Sequence, residues 1–236
     1  MDDLQWKFSN KFRSHWIKIK FYKEEPNVKE VKRPKGIRFC EATMEAMSGP
    51  IILNKEAISC PGAQYAFGWR SNDPKGLPEN CYDKRQVKKD ILGSIISQTP
   101  YFKKPFKYIG LNTEGIPDVV MSYMSPEEMM HLITIYQDHK GENLDISLSS
   151  MMSVCSGIAV RTFLENKISF SFGCDDSRQY ADLRRENMAV GIPRSLFDVF
   201  VDYSQERTDV KDNPKTSIKI EDARSSNHKE RIGLEF

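Results

Sequence analysis

Several absences set the first bounds on this chain of 236 residues. It has no apolar run long enough to cross a bilayer, which excludes a helical membrane span as an expectation. Its opening, Met1-Asp2-Asp3-Leu4-Gln5-Trp6-Lys7, lacks the apolar core of a secretory signal, so a cytoplasmic protein is expected. Neither sign of charge prevails: 35 Lys and Arg stand against 33 Asp and Glu, a formal charge of +2. That balance removes any whole-molecule case for nucleic acid or an anionic membrane as partner. No glycine spacing matches a dinucleotide or phosphate-loop fingerprint, so nucleotide binding is not expected. Histidine is scarce, and His15, His131, His139 and His228 fall in no metal-ligating spacing. Cysteine is present five times but never as a C-x-x-C pair.

What is present begins with enough apolar residue, 39%, for one substantial core. His15 to Tyr22 alternates apolar and cationic positions as a half-buried strand does. Cys40 to Met47 reads as a helix stopped by Gly49-Pro50, and Ile51-Ile52-Leu53 as a short buried strand or turn. A loop is expected over 72–80, then a charged helix from near Cys81 through Val87, Ile91 and Ile95. The stretch Tyr101 to Tyr108 mixes aromatics with lysines. It could stack on single-stranded nucleic acid, although an aromatic cluster under snorkelling lysines is the commoner outcome.

Val119 to Met124 reads as a core strand. Ser125-Pro126-Glu127-Glu128 then combines an N-cap serine, proline at the first helical position and a capping-box glutamate. The helix they start should bury Met129, Leu132, Ile133 and Tyr136 and stop at Gly141. Further strands are expected at Leu144–Leu148, Ile168–Phe172 and Met188–Ile192, and an amphipathic helix from Pro193 through Val201. From Thr208 the chain is polar and poor in apolar residues, which suggests a mobile tail. The sum is a mixed α+β (α/β) fold: one compact domain over 1–207, with a mixed sheet flanked by helices, and a charged tail over 208–236.

Four cysteines sit beside small or turn-forming residues, in Arg38-Phe39-Cys40, Ser59-Cys60-Pro61-Gly62, Val154-Cys155-Ser156-Gly157 and Gly173-Cys174-Asp175-Asp176. Without an export signal, thiols in a chain this long point to reduced cysteines, metal ligation or redox chemistry and not to a disulfide scaffold. These four are expected to converge. Soft sulfur in that number suits an iron–sulfur cluster or zinc. Zinc ranks second because its sites usually draw on close ligand pairs. The competing reading is that the cysteines are small hydrophobes packed in the core.

With those residues in view, the chain resembles the domain-of-unknown-function family numbered one hundred and sixty-nine, of archaea and anaerobic bacteria. The matching pieces are Ile17-Lys18-Ile19-Lys20-Phe21, Arg38-Phe39-Cys40, Ile58-Ser59-Cys60-Pro61-Gly62-Ala63, Ser153-Val154-Cys155, Gly173-Cys174-Asp175-Asp176-Ser177-Arg178 and Met188-Ala189-Val190-Gly191-Ile192-Pro193. The resemblance implies that Cys40, Cys60, Cys155 and Cys174 form the family's set and that Cys81 stands outside it. One departure is that Cys174-Asp175-Asp176-Ser177-Arg178 replaces a family pattern with glycine after the second position, which implies a different turn there. The resemblance brings no established activity.

The resulting expectation is a metal-binding redox or electron-transfer protein, an oxidoreductase if it is an enzyme, carrying a [4Fe–4S] cluster on Cys40, Cys60, Cys155 and Cys174. Arg38, Gly62, Asp175, Asp176 and Arg178 would form its surroundings or grip a small anionic substrate. A redox protein is the other expected partner. The alternative is a cofactor-free ligand-binding or interaction module.

Overall fold

The computed structural model describes residues 12, 14–70, 87–181 and 183–201. The chain divides into units Met1–Val201 and Asp202–Phe236. The second, which includes the charged stretch 208–236, lies outside the described residues, as do Cys81 and the loop expected over 72–80.

Alternating side chains produce the strands β1 (Trp16–Tyr22), β2 (Ile51–Leu53), β3 (Tyr108–Leu111), β4 (Val119–Met124), β5 (Ser169–Ser171) and β6 (Met188–Pro193). They form one sheet of order β2-β3-β1-β4-β6-β5. The mixed α+β class stands. Among the described residues every ladder is antiparallel, and parallel pairing is confined to the isolated bridges Lys32–Ile51 and Ile37–Ile58.

Register places Ile17 opposite Met121, Ile19 opposite both Val119 and Leu111, and Phe21 opposite Ile109. These residues and Tyr123 therefore share one face, and that face belongs to the main hydrophobic core. The alternate positions Val120, Ser122 and Met124 are buried outside that core, on the other face.

The helices include α1 (Phe39–Glu45), α2 (Pro61–Ala66), α3 (Lys89–Ser97), α5 (Arg161–Glu165) and α6 (Asp175–Tyr180). A fourth helix in chain order, α4 (Pro126–Lys140), follows β4 directly. Its capping box forms as its residues require: Ser125 Oγ accepts from Glu128 N at 3.3 Å, and Ser125 N donates to Glu128 Oε2 at 2.9 Å. Gly141 closes it in the left-handed region at φ 68°. Glu128 also accepts from Ser14 Oγ at 2.7 Å, so the cap is tied to the approach to β1. Glu128→Ala should therefore lower the unfolding midpoint by roughly 2–4 °C, the effect of about 1 kcal/mol in a chain this size, with little change in far-UV circular dichroism.

Four rings close the core at one end of β1. Phe21, Phe102, Phe106 and Phe163 are all in mutual contact, with centroids 5.0 to 5.6 Å apart. Two phenylalanines of the Tyr101–Tyr108 stretch are thus core residues, and Trp69 Nε1 donates to the Phe106 carbonyl at 2.6 Å.

Several expectations are corrected. Leu144–Leu148 forms no strand; Ile146 and Leu148 are exposed, so their alternation follows no buried face. In α4 the buried row is Met129, Leu132, Ile135 and Tyr136, with Ile135 in place of Ile133. In α3 the buried positions are Leu92 and Ile96, while Ile91 and Ile95 face solvent, one residue out of phase with the expected stripe. The Pro193–Val201 helix begins as a 3-10 turn at Arg194–Leu196 and buries Leu196, Phe197 and Phe200.

Candidate functional site: four cysteines around one cavity

Each of the four cysteines is delivered by a different segment and stands at the start of a helical turn. Cys40 is the second residue of α1. Cys60 is the N-cap of α2, where Pro61 supplies the preset φ of a first helical residue. Cys174 is the N-cap of α6, and Ser177 holds that turn by accepting from Cys174 N at 2.8 Å and donating to Cys174 O at 2.7 Å. Cys155 opens a π-helix, Cys155–Val160, that runs on into α5. The wider turn is visible in Gly157 N donating to Met152 O and Ala159 N to Val154 O, each spanning five residues.

The four segments meet at a cavity of about 480 Å³. Cys40, Cys60, Cys155 and Cys174 all line it, together with Arg38, Gly62, Asp175, Asp176 and Gln179. Phe39, Ala63, Met151, Met152 and Val154 supply its apolar wall. All four side chains thus border one space. No disulfide joins them. Among the described residues, no group of three or more His, Cys, Asp or Glu side chains is arranged to hold a single metal ion.

Of the expected surrounding residues, Arg38, Gly62, Asp175 and Asp176 are at the cavity. Arg178 is not among its lining; its guanidinium donates to the carbonyls of Phe172, Leu183, Arg184 and Asn187, and so fastens the chain after α6 to the end of β5. A Cβ on Gly62 would stand 2.8 Å from Met152 Cγ, so a larger residue there would have to displace the Met152 side chain.

Asp176 links the thiols to Arg38. Its Oδ2 lies 3.8 Å from Cys60 Sγ and 3.6 Å from Arg38 Nε, and the Arg38 guanidinium lies flat over the Tyr180 ring at 3.6 Å.

Beneath the cavity, Thr43 Oγ1 donates to Cys40 O at 2.6 Å. Having one proton to give, it accepts from Tyr123 OH at 2.8 Å. Tyr123 is held above its ordinary pKa, first by burial and then by the charges of Cys40, Cys174 and Cys155. Tyr123, Thr43, Met152 and Gln179 were not singled out from the sequence. Reading 175–180 as a helix would have put Asp175, Asp176 and Gln179 on one face.

Burial dominates the thiols. Cys40 is pushed up to about 12, by burial first and then by Cys174 and Cys60, with the Glu41 backbone N–H opposing. Cys60 rises to about 11 by burial, opposed by the N–H groups of Ala63 and Gly62 and reinforced by Asp176. Cys155 is raised well above 9.0 by burial and by the other three thiols, with the Ser156 N–H opposing. Each group ionises later in the folded protein than in the unfolded chain. The stability that this contributes is intact below pH 9 and is lost as pH climbs toward 11 and 12. The metal-free protein should therefore show denaturant midpoints that fall steeply from pH 9 to 11, by up to about 1.4 kcal/mol per pH unit for each thiol. The triple variant Cys40→Ala, Cys60→Ala, Cys155→Ala should flatten that limb.

An antiparallel α+β domain with four free cysteines from four segments bordering one cavity defines the class structurally. The chain belongs to the uncharacterised ArCR family, domain of unknown function 169, whose model matches residues 11–202. It is also similar to an uncharacterised protein of Methanocaldococcus jannaschii, at 23% identity over 142 residues; the match spans 57% of this chain and 60% of that protein's length. No solved structure matches. Among the described residues, no helix is long and apolar enough to cross a membrane.

Proposed function

We propose that the protein carries an iron–sulfur cluster, [4Fe–4S] in preference to zinc, on Cys40, Cys60, Cys155 and Cys174, and serves in electron transfer or redox chemistry. The observation that carries this reading is the assembly of four thiols, otherwise remote in the chain, around one cavity. Core packing alone gives no reason for four cysteines from four segments to border the same open space, and soft sulfur is the donor such clusters take.

Two further features favour a cluster over zinc. A closed zinc site draws four sulfurs to about 2.3 Å from a single ion and leaves no room inside. Here the thiols border about 480 Å³. A cubane binds each thiolate to a different iron, so its ligands stand farther apart. The backbone N–H groups of Glu41, Gly62, Ala63 and Ser156, which act on Cys40, Cys60 and Cys155, are of the kind that tunes cluster sulfur. The cluster would supply one-electron chemistry; the chain's residues would hold it and limit its exposure to water. A small anion at Arg38 and a redox protein are the accompanying candidates for substrate and partner.

The second reading, a cofactor-free module, is favoured by the raised thiol pKa values, since neutral buried thiols pack as inert apolar groups. One experiment separates the two. Purified without oxygen, the protein should be brown, contain about four iron and four sulfide per chain, and give a low-temperature EPR signal on reduction. A colourless chain with neither iron nor sulfide after anaerobic reconstitution overturns the cluster.

A further inference from the structure

We propose that the polar end of the cavity binds a small zwitterion, an α-amino acid, with its carboxylate on Arg38 and its ammonium between Asp175 and Asp176. The inference rests on the reading above only in taking this cavity as the working site; it needs no particular metal in it. Its starting point is a set of polar side chains there that are only loosely engaged. Among the described residues, Arg38, Asp175 and Gln179 line the cavity with no side-chain hydrogen bond, and Asp176 has two long contacts, one from the Cys60 thiol at 3.8 Å and an ion pair with Arg38 Nε at 3.6 Å. Arg38 is nonetheless held in place: its residue caps α1, and its guanidinium lies on the Tyr180 ring at 3.6 Å. A planar donor group fixed by its face presents its edge, and the edge of a guanidinium is the part that pairs with both oxygens of a carboxylate.

Charge then selects the ligand. Arg38 alone suggests an anion, but Asp175 and Asp176 stand beside it. A simple carboxylate meets one cation and a surplus of anions. A molecule that carries both charges satisfies each and brings no net charge of its own. The pair these two residues make with each other is loose, with Asp176 Oδ2 3.6 Å from Arg38 Nε and no hydrogen bond between them, so a ligand whose carboxylate and ammonium share one carbon can engage both at once. The amino-acid side chain would then lie along Phe39, Ala63, Met151, Met152 and Val154. At about 480 Å³ the space is of the size that small-molecule sites have.

The test is thermal unfolding of the anaerobically purified full chain with each of the twenty L-α-amino acids, with iron and sulfide assayed on the same samples. At least one amino acid should raise the midpoint by about 5 °C or more at roughly one hundred times its dissociation constant. The best of them is then compared with its des-amino acid and its decarboxylated amine, which should each bind at least tenfold more weakly by calorimetry. Arg38→Gln and Asp176→Asn should abolish the shift, and Arg38→Lys should retain only part of it. The inference is overturned if no amino acid shifts the midpoint, if the des-amino acid binds as tightly as its parent, or if Arg38→Gln binds normally. Iron content makes the two failures distinct: a loaded protein that binds no amino acid sinks the zwitterion site alone, and an iron-free protein that binds one sinks the cluster alone.

Discussion

Serine in place of any one of Cys40, Cys60, Cys155 or Cys174 is expected to reduce bound iron several-fold, and by a similar factor at all four positions. The equality is the informative part. The four differ in burial, since Cys40 and Cys155 are buried and Cys60 and Cys174 only partly so. If the thiols were merely packed, the damage from serine would follow burial and would appear as lost stability. A hydroxyl at Cys60 or Cys174 would be nearly neutral there, and at Cys155 it could still donate to Met152 O as the thiol does at 3.5 Å. Ligand loss follows a different rule. A serine hydroxyl is a hard and weakly acidic donor, so each replacement removes one anchor however exposed it is. Iron and sulfide per chain, measured beside the unfolding midpoint of each metal-free variant, checks this. Iron losses that track burial, or a Cys60→Ser chain that loads as well as its parent, would show that the cavity's sulfurs are not ligands. Cys81 lies outside the described residues; Cys81→Ser should leave iron content unchanged.

How much of this could be read beforehand depends on how local the governing interactions are. The capped helix after Val119–Met124 was legible because Ser125, Pro126, Glu128 and Gly141 act within a few residues of one another. The strands around Ile17, Met121 and Val190 were legible for the same reason, as their alternation belongs to the strand itself. Leu144–Leu148 shows the limit: its pattern resembles a strand, but among the described residues no strand pairs with it and Leu148 stays exposed. The phase error on α3 has the same origin, because Ile91 and Leu92 are equally apolar and only the surrounding core decides which turns inward. At the site, the small neighbours of the cysteines mark the four segments that border one cavity. Arg178 was misjudged since nothing in Asp175-Asp176-Ser177-Arg178 says that four carbonyls from later and earlier segments will take its guanidinium. The π-helix at Cys155 was invisible, because its wide turn depends on packing and not on any residue preference in Cys-Ser-Gly-Ile-Ala-Val.

Gly173→Ala is expected to have the largest effect of any single methyl added near the site, for two reasons that combine. Gly173 sits at φ +82°, which an L-residue adopts only at a cost of about 1–2 kcal/mol. Its missing Cβ would also stand 2.7 Å from Leu183 Cδ2 and 2.7 Å from Ser177 Oγ. Ser177 cannot yield without giving up its two bonds to Cys174, which form the cap of α6, and a lost cap adds about 1 kcal/mol. The sum, about 2–3 kcal/mol, lowers the unfolding midpoint by roughly 5–10 °C. Gly141→Ala is the control, since its φ is +68° but a Cβ there meets nothing within 4 Å, so it bears the backbone cost alone. The two substitutions should separate further in iron content. Gly173→Ala displaces the turn that carries Cys174 and Asp176 to the cavity, so it should bind substoichiometric iron even at temperatures where it is folded, while Gly141→Ala should load fully. Equal iron in the two variants would mean that the Cys174 turn is not held by Gly173 in the way its contacts indicate.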